Sequence, residues 1–131
     1  MTDRELLNMA VEAAKNSYCP YSKFAVGAAL ECTDGAVFTG CNVENAAFGD
    51  TICAERTAAV KAVSEGHRSF KRIAIYGASS LSYCMPCGSC RQFLSEFSPE
   101  MEVLCAKSDG RYVSYSLTKL MPYNAIADEM N

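Results

Sequence analysis

At 131 residues, half of them hydrophobic, the chain has material for one buried core and too little for two ordinary domains, so a single domain over residues 1–131 is expected. A formal net charge of -3 and a pI near 5.1 provide no basic face for polyphosphate, which argues against a nucleic-acid partner and for a small or neutral one. No apolar run approaches the roughly 20 residues that span a bilayer, and Met1-Thr2-Asp3-Arg4-Glu5 lacks the basic-then-apolar order of an export leader, so no membrane partner and a cytoplasmic location are expected.

Thr2-Asp3 ahead of Leu6, Leu7, Ala10, Val11 and Ala14 sets a cap before an apolar face and predicts a helix over about residues 3–16. Tyr18 to Tyr21, with Pro20, ends it. Phe24 to Glu31 and Ala36 to Cys41 read as strands joined by Thr33-Asp34-Gly35, a tight-hairpin signal, and should pair antiparallel. A second helix is predicted from Ala54 to about Ser64, with Ala58, Ala59, Ala62 and Val63 on one side and Gly66 as its stop. Arg72 to Tyr76 reads as a strand, Gly88 to Phe97 as a helix with Phe93, Leu94 and Phe97 on one face, and Glu102 to Ala106 as a strand. Such alternation implies an α/β sheet with helices on both faces and its later strands parallel.

Eight cysteines without an export leader are expected to be reduced, and so to serve as core residues or ligands. Cys19, Cys32, Cys41 and Cys105 stand alone, whereas Cys84, Cys87 and Cys90 recur every third residue. Cys53-Ala54-Glu55 and Pro86-Cys87-Gly88-Ser89-Cys90 each open a predicted helix and fit the signature of zinc deaminases, including its non-ligand glutamate. Cys53, Cys87 and Cys90 would hold one Zn²⁺ and leave its fourth tetrahedral position for water. Glu55, in the first helical turn, would be the catalytic proton carrier. Three thiolates against a divalent ion leave an excess negative charge, so Arg56 is expected to donate hydrogen bonds to ligand sulfurs, with Arg91 and the helix ends as further sources of positive potential. Two other readings stay open on spacing alone. Cys84 could close a four-sulfur structural or redox site, and Cys-x-x-Cys pairs serve such roles often. His67, the single histidine, follows Gly66 in a polar stretch and reads as a surface residue.

From Tyr18 to about Pro122 the chain resembles the small homotetrameric cytidine deaminases. Four blocks carry the likeness: Pro20 to Leu30 (PYSKFAVGAAL), Gly40 to Ala46 (GCNVENA), Cys53 to Ala58 (CAERTA) and Met85 to Gln92 (MPCGSCRQ). The resemblance implies a three-layer α/β/α fold on a mixed five-stranded sheet, one zinc per subunit and a homotetramer with sites near subunit interfaces. It implies hydrolytic deamination of cytidine and 2′-deoxycytidine in pyrimidine salvage; deamination of a cytosine nucleoside antibiotic is the alternative enzymatic reading. It also implies that Asn42 and Glu44 hold the ribose, that Phe24 packs on the pyrimidine and that the backbone at Ala54 faces the base. Phe48 stands where many relatives have tyrosine. In Met121-Pro122-Tyr123-Asn124-Ala125, alanine takes the place of an aromatic that reaches a neighbouring subunit's site, and Tyr123 is the candidate substitute.

Overall fold

The computed structural model describes residues 1–124. Helix α1 (Asp3–Ala14) leads into strands β1 (Val26–Cys32) and β2 (Val37–Cys41), followed by α2 (Ala54–Ser64), β3 (Phe70–Gly77), α3 (Gly88–Phe97), β4 (Glu102–Ala106), β5 (Tyr112–Ser116) and the single turn α4 (Leu117–Leu120). Thr2 caps α1 reciprocally: its hydroxyl accepts from the Glu5 N–H at 3.1 Å, and the Glu5 carboxylate accepts from the Thr2 N–H at 3.2 Å.

The five strands lie in the order β2-β1-β3-β4-β5. β1 pairs antiparallel with both β2 and β3, β3 pairs parallel with β4, and β4 pairs antiparallel with β5. The expected parallel pairing therefore holds for β3 and β4, while β5 returns through a turn at Gly110, whose φ is +90°. Leu6, Leu7 and Ala10 of α1 pack with Ala29, Ala74 and Leu104 on one face. Ala54, Ala58, Ala59 and Ala62 of α2, with Leu94 of α3, pack with Ala28, Leu30, Ile73, Ile75 and Val103 on the other. The molecule is thus the expected α/β/α sandwich on a mixed five-stranded sheet.

Two glycines set how closely the helices approach. A Cβ on Gly27 would lie 1.9 Å from the Ala10 carbonyl oxygen, and one on Gly40 would lie 2.5 Å from the Ala58 nitrogen and 2.6 Å from the Ala54 oxygen. Side chains alternate across a strand, and Gly27 and Gly40 occupy opposite faces of the β1–β2 pair. Gly27 admits α1, and Gly40 seats the start of α2 against β2. The second contact matters for chemistry because Cys53 and Glu55 stand at that helix start.

β1 begins at Val26 rather than Phe24, because Phe24 belongs to a loop in which Lys23 has a φ of +61°. β3 is longer than expected, running to Gly77. β5 and α4 escaped the sequence reading. In Tyr112-Val113-Ser114-Tyr115-Ser116, Val113 and Tyr115 share one face and Tyr112, Ser114 and Ser116 the other, so the apolar face of this edge strand is only two residues long and gives a weak signal.

Candidate active site

Cys53 is the N-cap of α2 and Cys87 the N-cap of α3, with Cys90 in the first turn of α3. The two helix starts converge: Cys53 Sγ lies 3.8 Å from Cys87 Sγ, which lies 3.4 Å from Cys90 Sγ, and all three sulfurs fall within 4.8 Å of one another. Sulfurs bound tetrahedrally to one zinc at about 2.3 Å stand about 3.8 Å apart, so the donor set fits that ion in spacing and chemistry. Cys84 is not part of this group. It lines the adjoining cavity instead, its thiol pushed up to about 12 first by burial and then by the Glu55 charge.

Arg56 Nη2 donates to Cys53 Sγ at 3.4 Å and to the Thr51 carbonyl at 3.1 Å, the sulfur contact expected of it. Cys53 is the acidic thiol of this contact. Its pKa falls to about 5, first because the thiolate accepts from Cys90 and then, against the opposing effect of burial, through Arg56 and Cys87. The Cys90 thiol is pushed upward by donating to Cys53 and by burial. Arg91 is differently engaged, donating from Nε to the Pro86 carbonyl at 2.9 Å and from Nη1 to the Leu120 carbonyl at 3.0 Å. These two bonds pin the loop before α3 to α4 and go to backbone carbonyls rather than to the sulfurs.

Glu55 is 4 % exposed. Burial raises its pKa to about 7, a value suited to taking up and releasing a proton near neutrality. Its carboxyl shares a cavity of about 230 Å³ with Cys53, Cys87, Ala54, Phe24, Asn42 and Glu44. Every residue named from sequence as a metal ligand or substrate contact, Cys90 apart, borders this one space, and Cys90 lies buried directly behind Cys87.

The far side of the cavity is built by a pinned loop. Val43 and Ile52 exchange backbone hydrogen bonds at 2.9 and 3.0 Å, and Tyr18 brackets the segment through the Asn42 carbonyl at 3.0 Å and the Glu44 N–H at 2.9 Å. Asn42 accepts from the Val26 N–H at 2.9 Å and donates to the Phe24 carbonyl at 2.8 Å, which fixes the Phe24 loop to the start of β1. Part of its amide capacity is thus already used in holding the wall. Glu44 accepts from the N–H groups of Tyr21 and Ser22 at 3.1 and 3.0 Å and from the Ser22 hydroxyl. These bonds, the Ser22 hydroxyl foremost, hold its carboxyl below the usual range, so it stays charged. Ser22 was not singled out as a site residue, although it lies within the quoted block Pro20 to Leu30. A serine in a turn has no signal of its own until the fold places it against a carboxylate.

The comparisons with known proteins agree with this geometry. The family model described as the cytidine and deoxycytidylate deaminase zinc-binding region matches residues 1–106. The chain belongs to the cytidine and deoxycytidylate deaminase family. It is 48 % identical over 124 residues to a probable cytidine deaminase of Dictyostelium discoideum, covering 92 % of this chain and 84 % of that one. It is 44 % identical over 123 residues to the cytidine deaminase of Sporosarcina psychrophila, covering 93 % and 90 %. The crystal structure of cytidine deaminase from Burkholderia pseudomallei superposes with a TM-score of 0.92 at 42 % identity, over 95 % of this chain and all of that one. As in the family, the cofactor is zinc.

At the outer rim, Phe48 is 70 % exposed and meets Tyr21 edge-on at 5.2 Å between ring centroids. The two rings border a second hollow of about 360 Å³ that shares Ser22, Glu44 and Thr51 with the inner cavity. Tyr123 is 91 % exposed, and Ala125 lies outside the described residues. No helix among the described residues is long and apolar enough to cross a membrane.

Proposed function

We propose that the chain deaminates cytidine and 2′-deoxycytidine, consuming one water and releasing uridine or 2′-deoxyuridine and ammonia. The observation that carries this reading is a single cavity joining Cys53 and Cys87, two of three convergent sulfurs, and a buried glutamate to Asn42 and a charged Glu44. Cys53, Cys87 and Cys90 would hold the zinc, which when bound supplies the Lewis acidity that makes a water nucleophilic near neutral pH. Glu55 accepts the first proton that water sheds and passes it to N3 of the ring, then takes the second proton from the hydroxyl added at C4 and gives it to the 4-amino group, so that the C4–N bond breaks, ammonia leaves and the C4 carbonyl forms. Ala54, wholly buried at the N-terminus of α2, offers backbone to the polar edge of the base. Phe24 packs on the ring, while Asn42 and Glu44 receive the sugar hydroxyls.

Arg56 withdraws charge from Cys53 and so tempers the excess charge of an all-thiolate site. Glu44 sets substrate class: a sugar hydroxyl can donate to it, whereas a phosphate at that place meets like charge. A homotetramer, with Phe48, Tyr123 and neighbouring copies finishing the rim, accords with how much of these two rings is exposed. Nucleoside salvage in the cytoplasm is the corresponding biological setting.

The test is to give the zinc-loaded protein cytidine, 2′-deoxycytidine and cytidine 3′-phosphate. Stoichiometric ammonia from both nucleosides, with kcat/KM for the 3′-phosphate at least about tenfold lower, is expected. Equal turnover of the 3′-phosphate would remove Glu44 from its proposed role.

A further inference from the structure

At the other end of β1 a second set of metal-ligating groups converges. Cys32 closes β1, Asp34 sits in the β1–β2 turn, and His67 follows α2, yet a sulfur, a carboxylate oxygen and an imidazole nitrogen from these three lie within 4.8 Å of one another. His67 Nδ1 is 3.0 Å from Asp34 Oδ2. Two ligands of one ion with bonds of about 2.0–2.3 Å stand about 3–4 Å apart, so this spacing suits a shared cation as well as an ion pair. The cluster is remote from the deaminase cavity, which reaches Val26 at the start of β1; the seven residues from Val26 to Cys32 span about 20 Å of strand.

Each donor is held in place by its own backbone. Asp34 Oδ1 accepts from the Ala36 N–H at 3.1 Å, which aims Oδ2 at His67. The turn closes through Cys32 N–H to the Ala36 carbonyl at 2.8 Å and Gly35 N–H to the Cys32 carbonyl at 3.0 Å. His67 is fixed by its N–H on the Ala62 carbonyl at 2.9 Å and by the Phe38 ring at 5.1 Å. Gly35 and Gly66, with φ of +94° and +92°, supply the left-handed turns that bring both loops round. Cys32 is buried while Asp34 is exposed, so an ion could enter from solvent and find a sulfur at the inner wall.

From this we infer that Cys32, Asp34 and His67 form a second, peripheral site for a borderline divalent transition metal such as zinc or cobalt, clipping the β1–β2 turn to the loop after α2. One sulfur, one nitrogen and one oxygen select such ions over magnesium or calcium, which prefer oxygen alone. Water completes the coordination, and the site acts in stability rather than in catalysis.

The experiment is a Co²⁺ titration of the metal-free full chain at neutral pH, followed by sulfur-to-cobalt charge-transfer absorbance and by equilibrium dialysis, with His67→Gln and Asp34→Asn in parallel. The asparagine keeps the oxygen that holds Ala36 and removes the charge facing His67. Wild type is expected to bind a second equivalent beyond the three-sulfur site and to gain thermal stability with it. In each variant the second equivalent should weaken by at least about tenfold while deaminase activity holds. Saturation of wild type at one equivalent, or a second equivalent of unchanged affinity in both variants, would overturn the proposal and leave the His67–Asp34 contact as a plain ion pair.

Discussion

The floor of the deaminase cavity and its rim are built in opposite ways. The floor is made by rigid elements: two helix starts seated on the sheet, a fully buried Ala54, a buried Glu55 and a buried Cys90. The rim is made by loops, with the Phe48 ring largely exposed and set edge-on against Tyr21. Within the floor, one chain's own elements bring the three sulfurs and Arg56 within hydrogen-bond or ligand distance of one another. The rim has apolar surface still to cover, by substrate or by a neighbouring copy. Chemistry is therefore expected to be sensitive at the floor, and affinity and assembly at the rim.

Removing a ligand breaks the floor outright. Cys90→Ser is expected to lose the zinc held by the three sulfurs and with it all deamination, read by metal analysis and by ammonia release. Retained zinc and activity would mean that Cys53 and Cys87 suffice. Arg56→Gln should have the next largest effect, lowering zinc affinity or turnover by about 10- to 100-fold, as loss of a residue that orients or neutralises a metal ligand commonly does. A competitive chelator titration measures the affinity, and unchanged affinity and rate would contradict the charge argument. Phe48→Ala should be the mildest: thermal stability within about 0.5 kcal/mol of wild type in the isolated chain, with KM raised and kcat kept. A fall in kcat with KM unchanged would move Phe48 from the rim to the chemistry.

The same contrast governs what the sequence made legible. Helix starts, alternating apolar runs and the spacing of Cys53, Cys87 and Cys90 are local patterns, so the sandwich and the metal floor could be read directly. Sulfur contact from Arg56 followed from charge, since three thiolates and a divalent ion demand a donor and the neighbouring residue is an arginine. Arg91 shows the limit of that logic: its charge suited the sulfurs, but its fork also fits the Pro86 and Leu120 carbonyls, and only the tertiary fold brings Leu120 there. Cys84 looked like a possible fourth ligand because it keeps the triplet spacing. It precedes Pro86 and the helix start, and lies in the cavity wall instead. Ser22 gained a role only through Glu44, which is 22 residues away in sequence. Likewise the nearness of His67 to Asp34 depends on two left-handed glycine turns that no single stretch reveals.

The central claim is that a buried Glu55 moves the protons for a metal held by three sulfurs, and replacing that one carboxyl tests it most directly. Zinc-loaded wild type and Glu55→Gln are given cytidine, and the loss of its ultraviolet band is followed while the metal content of the three-sulfur site is measured on the same samples. The glutamine should keep the zinc and convert cytidine about 100- to 10,000-fold more slowly, the range expected when a general acid–base is lost. Turnover by Glu55→Gln at the wild-type rate, or a zinc-loaded wild type that leaves cytidine untouched, would contradict the account.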